Sequence, residues 1–382
     1  QMLCDWYLRH FSSVRLNKIQ PRVKICLRLG IYQLILSDRI PAHAAVSETV
    51  ALIRHYGHSN DRTVGFANGI LRAIAQAVEQ DKLPRLDCPD KESFYSLRYS
   101  HPEWLVRLLS SQYGQKGAAA ILAANNETAP VSIRVNRTKM TREAVYEKLT
   151  EQGLPVHLHP KAEAMLWAEN GDIAGSTLFQ EGMVTIQDTA SAVCVEVLDP
   201  KPDTFVLDCC AAPGGKTFYI AERMENKGKL YACDIYSHKL EKIAEGAERL
   251  GLSIVQPMLQ DAAELREGWM EQADFVLCDV PCSGMGIIRK KPEIRYKDAG
   301  ETEALPEIQA QILKNCAQYV KPGGTLVYST CTILERENEA IVRAFLQTHS
   351  EFEAVPVTHA VFGTAETGMI ILLPSVHGTD GF

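Results

Sequence analysis

The spacing of apolar residues changes part-way along this chain. Up to about residue 95, apolar residues recur at helical spacing, as over 23–36, 45–55 and 63–74. From about residue 182, short runs of apolar β-formers alternate with amphipathic helical segments. The pattern predicts an all-helical N-terminal domain, followed by an α/β domain with a doubly wound parallel sheet.

The predicted elements of the α/β domain occur in regular alternation. Strands are expected at Thr204–Leu207, Lys229–Cys233, Ile254–Leu259, Asp274–Cys278, Thr325–Tyr328 and Phe352–Val357. Helices are expected at Thr217–Met224, Ser237–Leu250, Leu305–Val320 and Glu335–Thr348. Before them, a small α+β subdomain is expected from a helix at about Glu103–Gln112, a strand at Val131–Val135 and a helix at Thr141–Gln152. The predicted domains are therefore 1–95, 96–181 and 182–382.

Composition is that of an ordinary globular protein. Of the 382 residues, 46% are hydrophobic and 23% charged, which is enough for two or three domains. The chain has no apolar run of the ~18–20 residues that a membrane span needs, and Gln1 does not begin a signal peptide. Cys194, Cys209 and Cys278 are among eleven cysteines and lie within apolar patterns, as buried reduced thiols do. We therefore expect a cytoplasmic enzyme that does not enter a membrane.

Charge is unevenly distributed along the chain. Residues 1–80 carry ten Lys and Arg against five acids, although the whole chain has a net charge of −7. A basic N-terminal domain on an acidic body is consistent with nucleic-acid contact. A solvated helix face would give the same excess, so charge alone leaves both interpretations open.

A glycine turn follows the first predicted strand of the α/β domain. After Asp208 and Cys209, the turn consists of Cys210, Ala211, Ala212, Pro213, Gly214, Gly215 and Lys216. Such a turn lets the backbone approach a cofactor and points a helix N-terminus at negative charge. A phosphate-binding P-loop is excluded because it requires glycine at position 210, and the three spaced glycines of a dinucleotide site are missing. The remaining interpretation is the cofactor loop of an S-adenosylmethionine-dependent methyltransferase.

Aspartates mark the ends of the strands that follow. Asp234 ends the second strand, about twenty residues past the loop, where a carboxylate can accept hydrogen bonds from ribose hydroxyls. Asp261 follows the third strand, where it can accept from an adenine amino group, and Asp279 follows the fourth, beside the expected site of chemistry. A single such aspartate is often a helix cap. Four in order, counting Asp208, predict a cofactor site at the carboxyl edge of the sheet.

Two cysteines are predicted at the same edge. Cys282 follows the strand that ends at Cys278, and Cys331 follows the strand that ends at Tyr328. Ligands bind at the carboxyl ends of parallel strands, so two thiols there predict covalent catalysis in which one thiol assists the other. A thiolate added to carbon 6 of cytosine makes carbon 5 nucleophilic enough to take a methyl group from a sulfonium donor. Asp279 is placed to act as an acid near ring nitrogen 3. Metal binding is a poorer interpretation, because no second ligand pair occurs at zinc-like spacing.

Three motifs resemble those of the RNA 5-methylcytosine methyltransferases of the Nop/Sun family. They are the loop 210–217, the segment 279–286 around Pro281-Cys282, and the segment 328–331 around Thr330-Cys331. The resemblance covers about 182–382 and implies a Rossmann-like class I methyltransferase domain that uses S-adenosylmethionine. It further implies that Cys331 is the nucleophile and that Cys282 assists product release. DNA cytosine methyltransferases use the Pro-Cys thiol as nucleophile, so the presence of both motifs favours RNA as the substrate.

The N-terminal helices are similar to the NusB-like domain, in the segments 28–34, 40–46 and 66–72. Within the Nop/Sun family this domain marks members that modify bacterial small-subunit rRNA. The resemblance therefore implies an RNA-binding NusB-like domain and 16S rRNA as the partner. We expect a monomer that holds no metal. We also expect the NusB-like domain to lack its first helical sequence, and the methyltransferase domain to lack a final strand.

Four cations just beyond the Pro-Cys segment are candidate phosphate contacts. They are Arg289, Lys290, Lys291 and Arg295. A solvated loop is the alternative. The target cytosine must leave its stack to admit a thiol to carbon 6, so we expect a looped or flipped base. Two other functions stay open, namely methylation of a tRNA cytosine and an RNA-binding assembly or antitermination factor with an inactive methyltransferase fold.

Overall fold

Helices build the first part of the described chain, and strands alternating with helices build most of the rest. The computed structural model describes residues 1–56 and 60–382. It divides into one unit at Gln1–Leu122 and a second at Ala123–Phe382. The predicted combination of an all-helical domain, a small α+β subdomain and a parallel α/β domain is confirmed.

The helices of the first unit pack through their apolar stripes. They are α1 (Met2–Phe11), α2 (Pro21–Leu36), α3 (Ala42–Tyr56), α4 (Asp61–Glu79), α5 (Lys91–Tyr99) and α6 (Glu103–Ala124), which is interrupted at Gly114. Leu27 and Ile31 of α2 are fully buried in this core. Gly30 permits the close helix packing, because a Cβ there would lie 2.7 Å from Thr49 Oγ1 and 2.9 Å from Leu71 Cδ2. A larger residue at position 30 would push α2 away from α3 and α4.

A small antiparallel sheet opens the second unit. Its strands, in the spatial order β2-β3-β1-β4, are β1 (Val131–Val135), β2 (Val156–Leu158), β3 (Met165–Ala168) and β4 (Val184–Ile186). Two helices accompany the sheet, α7 (Arg142–Glu151) and α8 (Thr177–Gln180). The structure confirms the predicted strand β1 and helix α7. Strands β2 to β4 were not predicted, since three or four residues show too little alternation to be recognised. The domain boundaries at 95 and 181 remain predictions.

A parallel sheet carries the rest of the second unit. Its strands, in the spatial order β7-β6-β5-β8-β9, are β5 (Thr204–Asp208), β6 (Gly228–Asp234), β7 (Val255–Leu259), β8 (Ala273–Asp279) and β9 (Val320–Ser329). The helices around it are α9 (Thr189–Leu198), α10 (Gly215–Arg223), α11 (Ser237–Leu250), α12 (Leu305–Tyr319) and α13 (Glu339–Thr348). The strand order reverses between β5 and β8, and such a switch point is where open α/β sheets bind ligands.

Two predicted elements are wrong in detail. The segment Phe352–Val357 does not join the parallel sheet, because the exposed Glu353 and Pro356, which has no N–H to donate, do not suit a strand in the sheet interior. Instead β10 (Val357–His359) pairs with β11 (Gly363–Ala365) in a separate hairpin, followed by the short helix α14 (Pro374–His377). The helix predicted from Glu335 begins only at Glu339, after a 3₁₀ turn.

Candidate active site

The carboxyl edge of the parallel sheet gathers the predicted acids and thiols. Asp208, Asp234 and Asp279 are the last residues of β5, β6 and β8. Asp279 lies opposite Ser329, the last residue of β9, in the ladder between β8 and β9. Because these two strands are parallel neighbours, the loops that follow them begin side by side. The fold therefore brings together the two cysteines that lie 49 positions apart in the sequence.

The two thiols are in direct contact. The Sγ atoms of Cys282 and Cys331 lie 3.2 Å apart, which is a hydrogen-bond distance, and both thiols are free. A disulfide would require a separation of about 2.05 Å. Both cysteines are partly exposed, so a reagent or substrate can reach them. One sulfur can therefore carry a negative charge while the other holds a proton against it.

This contact separates the pKa values of the two thiols. The hydrogen bond from Cys282 lowers the pKa of Cys331 below its ordinary value, although burial and Asp279 oppose the shift. The same hydrogen bond, together with burial, raises the pKa of Cys282 well above its ordinary value. The thiolate is the nucleophilic form of cysteine. Cys331 is therefore better suited to attack, and Cys282 is better suited to holding a proton.

Lys216 and Asp279 form an ion pair beside the thiols. Lys216 Nζ donates to Asp279 Oδ2 at 2.7 Å, and Ser329 Oγ donates to Asp279 Oδ1 at 2.7 Å. Burial acts to lower the pKa of Lys216, but the carboxylate of Asp279 raises it above its ordinary value. The ammonium group stays charged and favours the thiolate of Cys331. The side chain of Lys216, a predicted cofactor ligand, contacts the predicted catalytic acid, and its role toward the cofactor remains a prediction.

The thiol contact predicts the pH dependence of alkylation. Iodoacetamide should modify Cys331 at lower pH than an ordinary cysteine, because the thiolate reacts and its pKa is lowered. Cys282→Ala removes the hydrogen bond that lowers this pKa most, so the midpoint of alkylation rate against pH should move upward. Mass spectrometry of the peptide that contains Cys331 measures this midpoint. Cys4→Ala, a buried thiol of α1, is the control and should leave the profile unchanged. An unchanged midpoint in Cys282→Ala would contradict the assignment of the hydrogen bond.

The predicted cofactor loop joins β5 to α10. Its residue Gly214 has φ of +106°, which glycine adopts without strain, and a Cβ there would lie 2.5 Å from the Phe218 ring. Asp208 lies beneath the loop, fully buried, and accepts a hydrogen bond from Thr217 Oγ1 at 2.6 Å. Burial raises the pKa of Asp208 to about 7, against the opposing effect of that hydrogen bond. Asp208 therefore anchors the start of α10 under the loop.

Asp234 and Asp261 lie beside exposed apolar surface at the ends of β6 and β7. Each accepts the backbone N–H of the residue two positions ahead, at 3.0 and 2.8 Å. Next to them, Ile235 and Leu259 are 49% and 60% exposed. Apolar surface flanked by two carboxylates matches the chemistry of an adenosine, whose ring is flat and apolar and whose hydroxyls and amino group donate hydrogen bonds. The two carboxylate acceptors and the apolar surface beside them therefore fit the adenosine part of S-adenosylmethionine.

Two of the four predicted phosphate contacts differ sharply in exposure. Arg295 is buried at 6% exposure, and its guanidinium donates to Asn126 Oδ1 at 2.7 Å. Lys291 is exposed on the loop that follows the Pro-Cys segment. Lys291 is thus the better placed of these two for a phosphate, because the guanidinium of Arg295 is buried and donates to Asn126.

The other two predicted phosphate contacts tie the loop to the C-terminal segment. Lys290 Nζ pairs with Asp188 at 2.5 Å and with Asp380 at 2.9 Å. Arg289 donates to the carbonyl of Gly378 at 3.0 Å. These contacts give both cations a structural task, and the RNA-binding role of the four-residue set remains a prediction.

A buried ion pair that sequence reasoning missed supports the cofactor loop. Arg134 on β1 is fully buried and donates to the two carboxylate oxygens of Glu222 on α10 at 2.7 and 3.1 Å. It also donates to the Gly215 carbonyl in the loop at 3.0 Å. Arg134 lies on a strand of the antiparallel sheet and Glu222 on a helix 88 positions later, so no spacing rule could connect them. The small antiparallel sheet therefore holds the first turn of α10 in place.

Comparisons with known proteins assign the chain to a family. A family model for the 16S rRNA methyltransferase RsmB/F matches residues 195–382. Models for an RsmF/B-like ferredoxin-like domain and for the NusB family match residues 101–173 and 1–76. The probable ribosomal RNA small subunit methyltransferase B of Bacillus subtilis is 38% identical over 99% of this chain and 85% of its own length. The chain belongs to the RsmB/F family of 16S rRNA methyltransferases.

A further relative and a solved structure are also similar to this chain. The ribosomal RNA small subunit methyltransferase B of Vibrio cholerae is 37% identical over 93% of this chain and 78% of its own length. The crystal structure of PH0851 superposes with a TM-score of 0.81 at 29% identity, covering 99% of this chain and 85% of that one. The predicted family and the predicted NusB-like domain are confirmed. S-adenosylmethionine, predicted from the loop, is the cofactor that this family assignment supports.

Across 1–56 and 60–382, no helix has the length and apolar character needed to cross a membrane. Within the same ranges, no group of three or more His, Cys, Asp or Glu side chains is arranged to hold a metal ion.

Proposed function

We propose that this RsmB/F-family methyltransferase transfers the methyl group of S-adenosylmethionine to carbon 5 of a cytosine in 16S rRNA, through a covalent bond between Cys331 and the base. The observation that carries the proposal is the 3.2 Å contact between the Sγ atoms of Cys282 and Cys331. It lies beside the ion pair of Lys216 and Asp279 at the switch-point edge of the sheet. This edge thus holds a nucleophile, a proton donor and a fixed charge.

The proposed reaction uses the two thiols in sequence. The Cys331 thiolate adds to carbon 6, and the electron pair of the 5,6 double bond makes carbon 5 nucleophilic. Asp279, which accepts a hydrogen bond from Lys216 Nζ at 2.7 Å, is the proposed acid at ring nitrogen 3: it passes a proton from the Lys216 ammonium to that nitrogen as carbon 6 is attacked, and the proton returns when the carbon–sulfur bond breaks. The bound cofactor supplies the methyl group that carbon 5 takes up. A base then removes the carbon 5 proton, the electron pair of that bond restores the double bond, and the carbon–sulfur bond breaks. Cys282 donates its S–H to the departing Cys331 thiolate.

We assign cofactor binding to the loop and to the acids of the neighbouring strands. The backbone of residues 210–216 is proposed to hold the methionine part of the cofactor. Asp234 is proposed to accept from the ribose hydroxyls, and Asp261 from the adenine amino group. The exposed side chains of Ile235 and Leu259 support this placement, because they offer apolar surface to the adenine ring.

The proposed substrate is a single cytosine in 16S rRNA that has left its base stack. Carbon 6 must come within bonding distance of Cys331, which a stacked base cannot do. We propose that the basic NusB-like domain and the exposed Lys291 contact the RNA backbone. The relatives from Bacillus subtilis and Vibrio cholerae, named as ribosomal RNA small subunit methyltransferases, support small-subunit rRNA as the target. We propose that the enzyme works as a cytoplasmic monomer.

Nucleoside analysis tests the proposed function. The protein should transfer label from methyl-labelled S-adenosylmethionine to 16S rRNA, and digestion should release the label as 5-methylcytidine. Parallel reactions contain tRNA and assembled small-subunit particles. Label in another nucleoside would refute the proposed position, and label in tRNA alone would refute the substrate. Intact cofactor binding without any label would favour an RNA-binding assembly factor instead.

A further inference from the structure

Two consecutive side chains contact the two cysteine loops separately. Glu337 ends the 3₁₀ turn Glu335–Glu337, and Asn338 follows it before α13 begins. The Pro-Cys loop is defined here as residues 280–286, and the Thr-Cys loop as residues 330–334. Each of the two side chains contacts one of these loops next to its cysteine: Glu337 at Ser283, and Asn338 at Thr330 and Thr332.

Glu337 and Gln309 together hold the backbone on both sides of Cys282. Its side chain is fully buried, and its Oε2 accepts the backbone N–H of Ser283 at 2.8 Å. Gln309 of α12, also buried, donates to the same oxygen at 3.0 Å and to the carbonyl of Pro281 at 3.0 Å. Pro281 and Ser283 are the chain neighbours of Cys282. The pair of Glu337 and Gln309 therefore holds one peptide group before Cys282 and one after it.

Asn338 makes the corresponding contacts around Cys331. Its Oδ1 accepts from Thr330 Oγ1 at 2.6 Å, and its Nδ2 donates to the carbonyl of Thr332 at 2.8 Å. Thr330 and Thr332 are the chain neighbours of Cys331. One amide group thus spans the nucleophile's loop.

Further contacts join the two loops to each other. Ser283 Oγ and Thr332 Oγ1 share a hydrogen bond of 2.9 Å, and the N–H of Gly286 donates to the Cys331 carbonyl at 3.0 Å. A Cβ at Gly286 would lie 2.9 Å from the Cys331 carbonyl oxygen and 2.0 Å from that of Gly381, so position 286 requires glycine. Strand register brings the loops to the same edge, and these polar contacts set the thiols within the edge.

We propose that Asn338 and Glu337 are positioning residues for different steps of the reaction. Asn338 orients Cys331 for attack on carbon 6, and Glu337, acting with Gln309, orients Cys282 for release of the methylated base. The inference rests on the proposed function, since it assigns one residue to each thiol's step. A misplacement near 1 Å is enough to slow a positioned group substantially. Loss of Asn338 should therefore slow formation of the covalent adduct, and loss of Glu337 should make the adduct accumulate.

A single-turnover experiment separates the two steps. The protein is mixed with 16S rRNA and S-adenosylmethionine, and the covalent protein–RNA complex is followed on denaturing gels. We expect Asn338→Ala to form the complex about tenfold more slowly and release it at a rate within about threefold of the wild type. We expect Glu337→Ala to form the complex at a rate within about threefold of the wild type and to release it about tenfold more slowly. Arg343→Gln is the matched control, because this exposed side chain on α13 pairs with Glu335 at 3.3 Å and should change neither step.

Conservative variants distinguish positioning from general stability. Glu337→Gln keeps an oxygen that accepts from Ser283 and Gln309, so release should return to near the wild-type rate. Gln309→Met removes the contact to Pro281 and should slow release even if Glu337→Ala does not fold. Thermal melting and cofactor affinity are measured for every variant, and both should stay close to wild type in Glu337→Gln.

The outcomes separate this inference from the function on which it rests. Equal slowing of both steps in Asn338→Ala and Glu337→Ala would overturn the division of roles, provided that the wild type forms the complex. Wild-type release in Gln309→Met and Glu337→Ala would overturn the role of Glu337. If wild-type protein methylates the RNA without forming a covalent complex, the proposed covalent mechanism is wrong. The inference, which depends on that mechanism, is then wrong as well.

Discussion

Cys331→Ala should abolish methyl transfer while leaving S-adenosylmethionine binding almost unchanged. Without the thiolate, nothing adds to carbon 6, and carbon 5 of cytosine stays too electron-poor to take the methyl group. Removal of a catalytic nucleophile costs on the order of 10⁴-fold or more in turnover. The proposed adenosine contacts, Asp234 and Asp261, lie on β6 and after β7, away from the Thr-Cys loop after β9. Labelled methyl transfer measures turnover, and calorimetric titration measures the dissociation constant of the cofactor.

A matched cysteine variant distinguishes loss of the nucleophile from a general loss of stability. Cys316 of α12 is fully buried, and its thiol has no role in the proposed reaction. Cys316→Ala removes the same atoms as Cys331→Ala and should keep turnover within about tenfold of the wild type, because a small buried cavity costs stability rather than chemistry. Turnover in Cys331→Ala comparable with that of Cys316→Ala would show that another group attacks the base.

The periodicity of the sequence determined most of the α/β fold in advance. Helix α11 was predicted at Ser237–Leu250, the range that the structure shows, because a glycine follows its last apolar position and stops it in the left-handed region. The strands β5 to β9 were predicted because each contains a run of apolar β-formers and because these runs alternate with helical segments, as in a parallel α/β sheet. Phe352–Val357 misled the prediction because Phe352 and Val355 look like strand residues, whereas the neighbouring charges and Pro356 exclude a central position.

The sequence predicted which residues of the candidate site lie at the ends of strands, but not how their side chains contact one another. Spacing placed Cys282 and Cys331 at one edge, since loops after neighbouring parallel strands start together. It could not predict their contact at 3.2 Å, which depends on side chains from a later turn. Glu337 lies in a run of charged residues that is ordinarily solvent-exposed, yet it is fully buried. The role of Arg134 could not be predicted for another reason: Arg134 lies on β1 of the antiparallel sheet, whereas its partner Glu222 lies on α10, beside the parallel sheet.

Cys282→Ala should convert the enzyme into one that accumulates a covalent adduct with its RNA. The Cys331 sulfur leaves the base as a thiolate, and the S–H of Cys282, at 3.2 Å, is the donor that stabilises this developing charge. Loss of one hydrogen-bond donor to a developing charge slows a step by roughly 10²–10³-fold. The same change raises the pKa of Cys331, so attack also slows near neutral pH, but less than release does. The adduct should appear as a slowly migrating band of labelled RNA on a denaturing gel.

The pH dependence of the adduct band separates the two effects of Cys282→Ala, slower attack and slower release. A variant that lacked only the attacking thiolate would show no band at any pH, as the double variant Cys282→Ala/Cys331→Ala should. Raising the pH restores the Cys331 thiolate in Cys282→Ala and speeds attack, but it does not replace the missing S–H donor. The band should therefore intensify from neutral to mildly alkaline pH in Cys282→Ala and stay faint in the wild type. A Cys282→Ala lane without a band, at a pH where Cys331 is alkylated freely, would mean that release does not depend on this thiol.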